Sequence, residues 1–336
     1  MLQVVEGRNP IENGVSSTGV RKLSVGQGDM CCLLCGSSTK VALSGLTDNR
    51  LGTGGQYDIL QCVSCRFEQT SPLPSLTELK ELYRTHYNFG GERDTLYTRL
   101  RQQFLSSFLF RAWTRVDGDG AFYLRRGNGR LLDVGCNEGR GLRIYAANGF
   151  RVEGSDLNEA AAEVARSAGF RVHTRLLEEL NPEEPYDVVV LSNVLEHSLD
   201  PRRMLLEVHR LLAVGGEVWV SLPNSGSWLR EAFGRSWINW HVPFHISHFC
   251  AATLRQLLTD TGFMRIEIRQ ITPALWFGQS LIARIFAKEG EKTRQLRNPF
   301  LALGMMMVAR LVLFPVLWIG NRTGHGDCLV AVATKI

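Results

Sequence analysis

The sequence has 336 residues, of which 44% are hydrophobic and 21% are charged. This balance is typical of globular proteins and excludes a wholly disordered chain, a collagen and a coiled coil. The net charge of +5, from 38 basic and 33 acidic residues, is too small and too dispersed to indicate a nucleic-acid partner by itself.

The first segment of the chain, residues 1–27, is rich in Gly, Ser and other polar residues and contains no apolar core segment. It predicts a mobile tail and no secretory signal. We therefore expect a cytoplasmic chain with reduced thiols. In such a chain the eight cysteines serve a metal site or simple packing and do not form a disulfide framework.

Closely spaced cysteines define a small module over residues 28–74. The pattern C-x-x-C occurs twice, with 26 residues between the two copies: Cys32, Cys35, Cys62 and Cys65. Four thiolates from two such turns form the closed tetrahedral shell of a structural zinc, so we predict a zinc-ribbon-like module. Cys31 could replace Cys32 as a zinc ligand, although Cys32 has the C-x-x-C spacing to Cys35 that a zinc-binding turn requires. The alternative, a redox C-x-x-C, requires a strand and helix context that is absent here.

Residues 75–128 predict a helical linker or cap. Ser75 and Glu78 form a capping box at the start of one helix, and spaced apolar residues predict a second helix over about 94–115. Four residues of this region could cap a pocket or only pack the linker: Tyr83, Tyr87, Asn88 and Phe89.

From residue 129 to residue 270 the chain alternates short apolar strands with helices, and residues 326–336 predict a final strand. This order predicts a parallel sheet flanked by helices. No internal repeat is evident.

The run DVGCNEG, Asp133 to Gly139, follows the first apolar strand and opens a helix, where open parallel sheets bind ligands. Gly135 permits a sharp turn, and Gly139 allows the helix to begin close to a ligand. The run lacks the G-x-G-x-x-G pattern of dinucleotide sites, and Asp133 suits a cationic cofactor better than a phosphate. Asp156 closes the next strand, 21 residues beyond Gly135, where a carboxylate accepts both hydrogen bonds of a ribose diol.

These segments resemble the successive motifs of class I S-adenosylmethionine-dependent methyltransferases: DVGCNEG, GSDLNEAA, YDVVVLSNVLEH and LLAVGGEVWVSLPN. The resemblance covers about residues 129–269 and the last strand. It implies an α/β fold with a Rossmann-like, seven-stranded, mostly parallel sheet whose last strand is antiparallel, and S-adenosylmethionine as the cofactor. It also implies a cofactor-lining set: Asp133, Gly135, Cys136 and Gly139 at the methionine and ribose end, Asp156 at the ribose, Leu157 and Leu176 at the adenine, and Asn193 facing the cofactor. Asn137 stands where the family has its middle glycine.

Candidate residues for the methyl acceptor follow the fourth strand of this sheet. Methyl transfer requires alignment of the reactants, and a base only where the nucleophile must lose a proton. We expect His197 to be that base or a hydrogen-bond donor, beside Glu196, although it could instead tie a helix start to a neighbouring loop. His245 could line the pocket or brace its loop. Some similar enzymes bind a divalent metal through E-x-x-E-H, but Asn193 replaces the first acid here, so we do not predict that metal.

The class of acceptor is suggested by the same resemblance. Zinc ribbons ahead of this type of methyltransferase imply enzymes of sugars, polysaccharides and small metabolites. We therefore expect methylation, at oxygen, of a small-molecule or glycan acceptor, which could be lipid-linked given the apolar insertion near the end of the chain. The sequence SNVL at residues 192–195 replaces the N/D-P-P-Y/F motif of nucleic-acid amino-methyltransferases, which argues against a nucleic-acid partner. The alternatives are C-methylation of a nucleotide-linked sugar, a zinc-ribbon RNA methyltransferase, and a scaffold without turnover.

Residues 271–325 form an apolar insertion before the final strand. Its second stretch, Phe300 to Gly320, is long enough to span a bilayer but is interrupted by Arg310 and Pro315. In this fold the last two strands pair antiparallel, so both ends of the insertion stay on one side and a single crossing is excluded. We expect a helical hairpin over 274–320 that contacts the inner face of the membrane, or else covers the enzyme as a lid or a homodimer face.

Overall fold

The computed structural model describes residues 31–86, 107, 112–114, 117 and 120–336. The expected tail at 1–27 lies outside the described residues. So do most of the expected helix at 94–115 and three of the candidate capping residues, Tyr87, Asn88 and Phe89.

The described chain forms eleven strands and nine α-helices. The strands are β1 Thr39–Leu46, β2 Tyr57–Cys62, β3 Glu68–Ser71, β4 Arg130–Val134, β5 Arg151–Ser155, β6 Arg171–His173, β7 Tyr186–Ser192, β8 Leu212–Pro223, β9 Ser247–His248, β10 Phe263–Ile271 and β11 Cys328–Lys335. The helices are α1 Leu76–His86, α2 Arg140–Ala147, α3 Glu159–Ser167, α4 Pro201–Leu211, α5 Trp228–Phe233, α6 Ala251–Asp260, α7 Ala274–Phe286, α8 Pro299–Leu311 and α9 Phe314–Thr323.

A seven-stranded sheet forms the centre of the molecule, in the order β10-β11-β8-β7-β4-β5-β6. Strands β4 to β8 pair parallel with one another, whereas β11 is antiparallel to both β8 and β10. The predicted Rossmann-like, mostly parallel sheet with an antiparallel last strand is confirmed. Because parallel strands end at one edge, the loops after β4, β5 and β7 lie together there.

Alternate residues of the central strands pack on opposite faces of this sheet, as the two-residue period of a strand requires. On one face Leu132, Val189 and Val220 belong to a buried cluster with Leu205 of α4 and Leu254 of α6. The other face has its own cluster, which contains Leu131, Val188, Val190, Trp219 and Tyr145 of α2. The sheet is therefore buried on both sides, as apolar parallel strands predict.

The cysteine module differs from the expectation of a separate unit. Its strands β1, β2 and β3 form a second sheet, which is completed by β9 from the segment after β8. Glu68 pairs with His248, and the ring centroids of Phe67 and Phe249 lie 5.1 Å apart. The module shares its core with the large sheet because one strand of its sheet comes from the central part of the chain.

The insertion folds as three helices and not as the expected two-helix hairpin. Pro315 lies in the first turn of α9, and the chain bends by 71° between α8 and α9. Arg310, within the apolar stretch, is buried: its Nε donates to Asp117 Oδ1 at 2.8 Å.

Among the described residues no single helix is long and apolar enough to cross a membrane, and only the bent pair α8–α9 reaches that length and composition together.

Candidate functional site

The loop after β4 is built from backbone geometry that needs glycine or asparagine. Gly135, Asn137 and Gly139 all have positive φ angles, of 70°, 48° and 77°. Asparagine tolerates this conformation better than most residues, so Asn137 replaces the family's glycine with little strain. The amides of Gly135 and Cys136 both donate to the Ser155 carbonyl, at 2.7 and 3.2 Å, which ties the loop to the end of β5.

At two of the expected cofactor-lining residues, the side-chain position faces the interior of the protein. The thiol of Cys136 does not line an open site, because it is buried in a small apolar cluster with Leu142 and Ala165. At Gly139 the missing side chain leaves room for α3, since a Cβ there would lie 2.9 Å from the Ala165 Cβ. Both residues therefore allow the loop to pack closely against Ala165 of α3.

The sequence reasoning overlooked Gly141, in the first turn of α2. A Cβ at Gly141 would collide with Oδ2 of Asp133, so the absent side chain allows this carboxylate to lie against the start of the helix. The signal was a second glycine two residues after Gly139, just beyond the motif.

Two carboxylates flank the loop, as predicted. Burial, together with the charge of Asp156, raises the pKa of Asp133 to about 7. Burial also raises the pKa of Asp156, although Oδ1 accepts from the Asn158 amide at 2.8 Å and Oδ2 from the Asn137 amide at 2.9 Å. Paired acids of this kind favour a cationic ligand, because a positive charge relieves their mutual repulsion.

The residues expected around adenine are unusually accessible for apolar side chains. Leu157 is 59% exposed and Leu176 is 39% exposed, and both follow strands that end at the loop edge. Asn193, just after β7, is exposed with a φ of 54°, and its amide donates to the Ser221 carbonyl at 2.8 Å. The side chain of its neighbour Val194 packs against Gly135, where a Cβ would lie 2.8 Å from Val194 Cγ2. The loops after β4 and β7 are therefore in contact.

Beyond β7 a short 3-10 helix, Leu195–His197, brings together the predicted acceptor-side residues. Nδ1 of His197 donates to the Phe244 carbonyl at 2.9 Å, and Nδ1 of His245 donates to the Asn239 carbonyl at 2.7 Å. The ring centroids of these two histidines lie 4.7 Å apart. His197 is therefore tied to a neighbouring loop, and both imidazoles keep an Nε2 lone pair.

Glu196 lies beside this pair of histidines and is 1% exposed. Neither carboxylate oxygen has a hydrogen-bond partner within the described chain. Burial raises the pKa of Glu196 to about 8 and lowers the pKa of His197 to about 4. One ligand atom from each of Glu196, His197 and His245 lies within 4.8 Å of the others, so this group also has the chemistry of a metal-binding cluster.

Residues from the N-terminal part of the chain complete the acceptor side. The ring of Tyr83 lies 6.1 Å from that of His197, which places this predicted capping residue at the site. Arg50, which the sequence reasoning missed, donates from Nη2 to the Ile238 carbonyl at 3.0 Å, and its charge helps to lower the pKa of His245. No local motif marks Arg50, because its partner lies 188 residues away.

The four cysteines of the two C-x-x-C turns converge. The Sγ atoms of Cys35 and Cys62 are 3.5 Å apart, and both Cys32 and Cys35 place Sγ at 3.6 Å from that of Cys65. A tetrahedral zinc with Zn–S bonds of about 2.3 Å requires S–S separations of about 3.8 Å, close to these values. Cys32 and not Cys31 joins the group.

The two turns have the backbone of metal knuckles. Amides of Leu34 and Ser64 each donate to the first thiol of their turn at 3.4 Å, and hydrogen bonds that involve Ser37 lower the pKa of Cys35 to about 6. Arg66, in the place where such turns often have glycine, adopts a φ of 65°. The thiols therefore have the arrangement that a metal ligand set needs, although burial raises the pKa of Cys32 and of Cys65.

Comparisons with known proteins agree with this geometry. The family model described as "Methyltransferase domain" matches residues 97–268, about half of the chain. A probable S-adenosylmethionine-dependent methyltransferase of Mycolicibacterium smegmatis is 36% identical over 136 residues, which are 40% of this chain and 51% of that protein. A ubiquinone biosynthesis O-methyltransferase of Pseudomonas aeruginosa is 36% identical over 103 residues, which are 28% of this chain and 44% of that protein.

The chain thus spans about half the length of the curated relatives that it matches. A solved methyltransferase from Thermotoga maritima, described as a possible histamine N-methyltransferase, has 19% identity and a TM-score of 0.43, over 70% of this chain and 97% of that chain. With the strand order, the loop after β4 and the family match together, the chain belongs to the methyltransferase domain family and has the fold of the class I S-adenosylmethionine-dependent enzymes.

Proposed function

We propose that the protein transfers the methyl group of S-adenosylmethionine to a hydroxyl oxygen of a small-molecule or carbohydrate acceptor. The acceptor oxygen attacks the methyl carbon, the C–S bond breaks, and its electron pair stays on sulfur to give S-adenosylhomocysteine. The hydroxyl proton passes to Nε2 of His197. Asp156 holds the ribose, and the sulfonium end lies near Asp133 and Gly135.

One observation supports oxygen as the methylated atom: the fixed tautomer of His197. Its Nδ1 proton is engaged by the Phe244 carbonyl at 2.9 Å, and its pKa of about 4 keeps the ring neutral near pH 7. The Nε2 lone pair is therefore available to receive a proton. Glu196 is buried without a hydrogen-bond partner in the described chain, and its raised pKa of about 8 keeps it protonated near pH 7 until an imidazolium forms beside it and favours its ionised form.

The relatives support the same reaction class. The similar protein of Pseudomonas aeruginosa is named as an O-methyltransferase, and the segment it shares with this chain accounts for 28% of the chain. A hydroxyl acceptor has one proton to donate, and the Nε2 lone pair of His197 can accept that hydrogen bond.

The test is to incubate the full chain with methyl-labelled S-adenosylmethionine and fractionated cell extract, and to identify the labelled product. We expect label on an ether oxygen of a small or glycan product. Label on carbon would replace this proposal by C-methylation, label in RNA would replace it by an RNA methyltransferase, and saturable cofactor binding without S-adenosylhomocysteine would indicate a scaffold.

We further propose that Cys32, Cys35, Cys62 and Cys65 bind one structural zinc. A zinc ion would supply no chemistry to methyl transfer, and its role would be to hold β1 to β3 against β9. Free thiolates need a reducing compartment, so we place the protein in the cytoplasm.

A further inference from the structure

The insertion has an apolar outer surface. Of the 22 large hydrophobic residues that are exposed in the described chain, ten lie within residues 300–319. On α8 they recur at intervals of three or four residues, and on α9 they continue beyond the bend. We call this surface the apolar elbow: Phe300, Leu303, Met307, Val308, Leu311, Val312, Phe314, Val316, Trp318 and Ile319.

The other side of the same helices is fixed to the protein. Arg310 donates to Asp117 and, at 2.6 Å, to the Thr272 carbonyl, and Ala309 and Leu317 are buried. A helix on the surface of a globular protein normally presents polar residues outward, whereas α8 and α9 are apolar on both sides. The elbow is therefore held with its hydrophobic face outward by contacts that do not depend on that face.

Exposed cations border the elbow at both ends. They are Arg284, Lys288, Lys292, Arg294 and Arg297 ahead of α8, and Arg322 at the end of α9. Within the described chain none of these six takes part in an ion pair. The Arg322 guanidinium lies 4.7 Å from the ring centroid of Trp318. Residues 284–322 also contain two acids, Glu289 and Glu291. With the six exposed cations, and without the buried Arg310, the net charge of this stretch is +4.

The elbow lies on the same edge of the sheet as the candidate active site. Ile271, where β10 ends, pairs with Cys328, and Cys328 pairs with Pro223 at the end of β8. Trp237 and Trp240, which precede His241 and His245, belong to the buried cluster that also contains Leu317 of α9. The helices that form the elbow thus support the segment that contains the acceptor-side histidines.

We propose that the apolar elbow docks onto an anionic lipid bilayer, with its side chains in the interfacial region and the bordering cations at the headgroups. An apolar face with basic flanks is the combination that binds anionic membranes. A second copy fits less well, because a two-fold interface would bring the same cations close to their own copies. The docking does not depend on which acceptor the enzyme methylates.

The experiment measures sedimentation of the full chain with vesicles of phosphatidylcholine alone and of phosphatidylcholine mixed with phosphatidylglycerol. We expect binding to the mixed vesicles only, weakened by salt. Leu311→Gln with Val312→Gln should abolish binding, whereas Val214→Gln, an exposed apolar residue elsewhere, should not. Arg294→Gln with Arg297→Gln should weaken binding by about fivefold for each charge removed, and Arg151→Gln should leave it unchanged.

Three results would overturn the proposal. The first is recovery of the wild-type chain in the supernatant with both kinds of vesicle. The second is a stable dimer that Leu311→Gln with Val312→Gln converts to monomer, because a second copy would then cover the elbow. The third is vesicle binding that none of the elbow variants changes, which would assign lipid contact to another surface. Circular dichroism of each variant verifies that the substitution has not unfolded the chain.

Discussion

The two halves of the candidate active site are built in different ways. The proposed cofactor half consists of short loops after β4, β5 and β6, which contain Asp133 and Asp156 and leave Leu157 and Leu176 exposed. The acceptor half is buried, and its side chains come from segments far apart in the chain, such as His197 and Arg50. The comparison teaches that the proposed cofactor half is built from local sequence, whereas the proposed acceptor half depends on tertiary packing.

The sharpest way to separate the two halves is His197→Gln. Glutamine cannot accept the acceptor's proton as imidazole does, so we expect turnover to fall by about one hundredfold or more. The dissociation constant for S-adenosylmethionine should stay within about twofold, because His197 is outside the cofactor half. His209→Gln, at a histidine that packs on Phe263, is the matched control and should change neither quantity. Unchanged turnover in His197→Gln would remove this residue from the mechanism.

The reciprocal change is Asp156→Asn in the cofactor half. Loss of a charged hydrogen-bond acceptor should weaken S-adenosylmethionine binding by about ten- to one-hundredfold. With saturating cofactor, turnover should stay near the wild-type value. Asp260→Asn, which removes an exposed carboxylate paired with Arg202, provides the control for a general charge effect. Equal losses of cofactor affinity in both variants would show that Asp156 has no specific role.

The pKa of Asp133 predicts how cofactor affinity depends on pH. In the free protein this pKa is raised to about 7, and a bound sulfonium favours the ionised carboxylate and lowers the pKa. Binding therefore releases a proton, and affinity should fall by up to about tenfold for each pH unit below 7 and level off above it. Calorimetry at several pH values measures this slope. Asp133→Asn should bind more weakly at high pH and lose the slope, and a slope that persists would point to another group.

The cysteine cluster should affect the acceptor half more than the cofactor half, because β3 pairs with β9 and β9 lies close to the acceptor-side histidines. Cys62→Ala should remove the bound zinc and lower turnover by about tenfold through misplacement of this segment. Cofactor affinity should change little. Cys31→Ala, at an exposed cysteine outside the cluster, should keep one zinc per chain by elemental analysis. A chain that contains no zinc in its wild-type form would contradict the zinc proposal itself.

Much of the fold was predictable because the signals are local. Apolar runs, helix starts and the motif from Asp133 to Gly139 determine the sheet and the loop after β4, and the paired cysteines identify the ligand set. The direction of the Cys136 side chain was not predictable, because its burial depends on α3, whose Ala165 packs behind the loop. A side chain next to a glycine loop can point either way, and the motif alone does not say which.

The remaining features depend on contacts between distant residues. Arg310 interrupts an apolar stretch in the sequence, and only the fold shows that Asp117, 193 residues away, neutralises it in the interior. The pairing of the cysteine module with β9 was not predicted, because β9 is two residues long and has no recognisable strand pattern. Tertiary partners of this kind leave no periodic signal in the chain.

The most direct measurement is a calorimetric titration of S-adenosylmethionine into the wild-type chain, His197→Gln and Asp156→Asn. Separate cofactor and acceptor halves predict saturable one-to-one binding to the wild type, nearly equal binding to His197→Gln and strongly weakened binding to Asp156→Asn. Two results would contradict the separation of a cofactor half from an acceptor half. One is the absence of saturable heat in the wild type, and the other is a loss of binding in His197→Gln as large as that in Asp156→Asn.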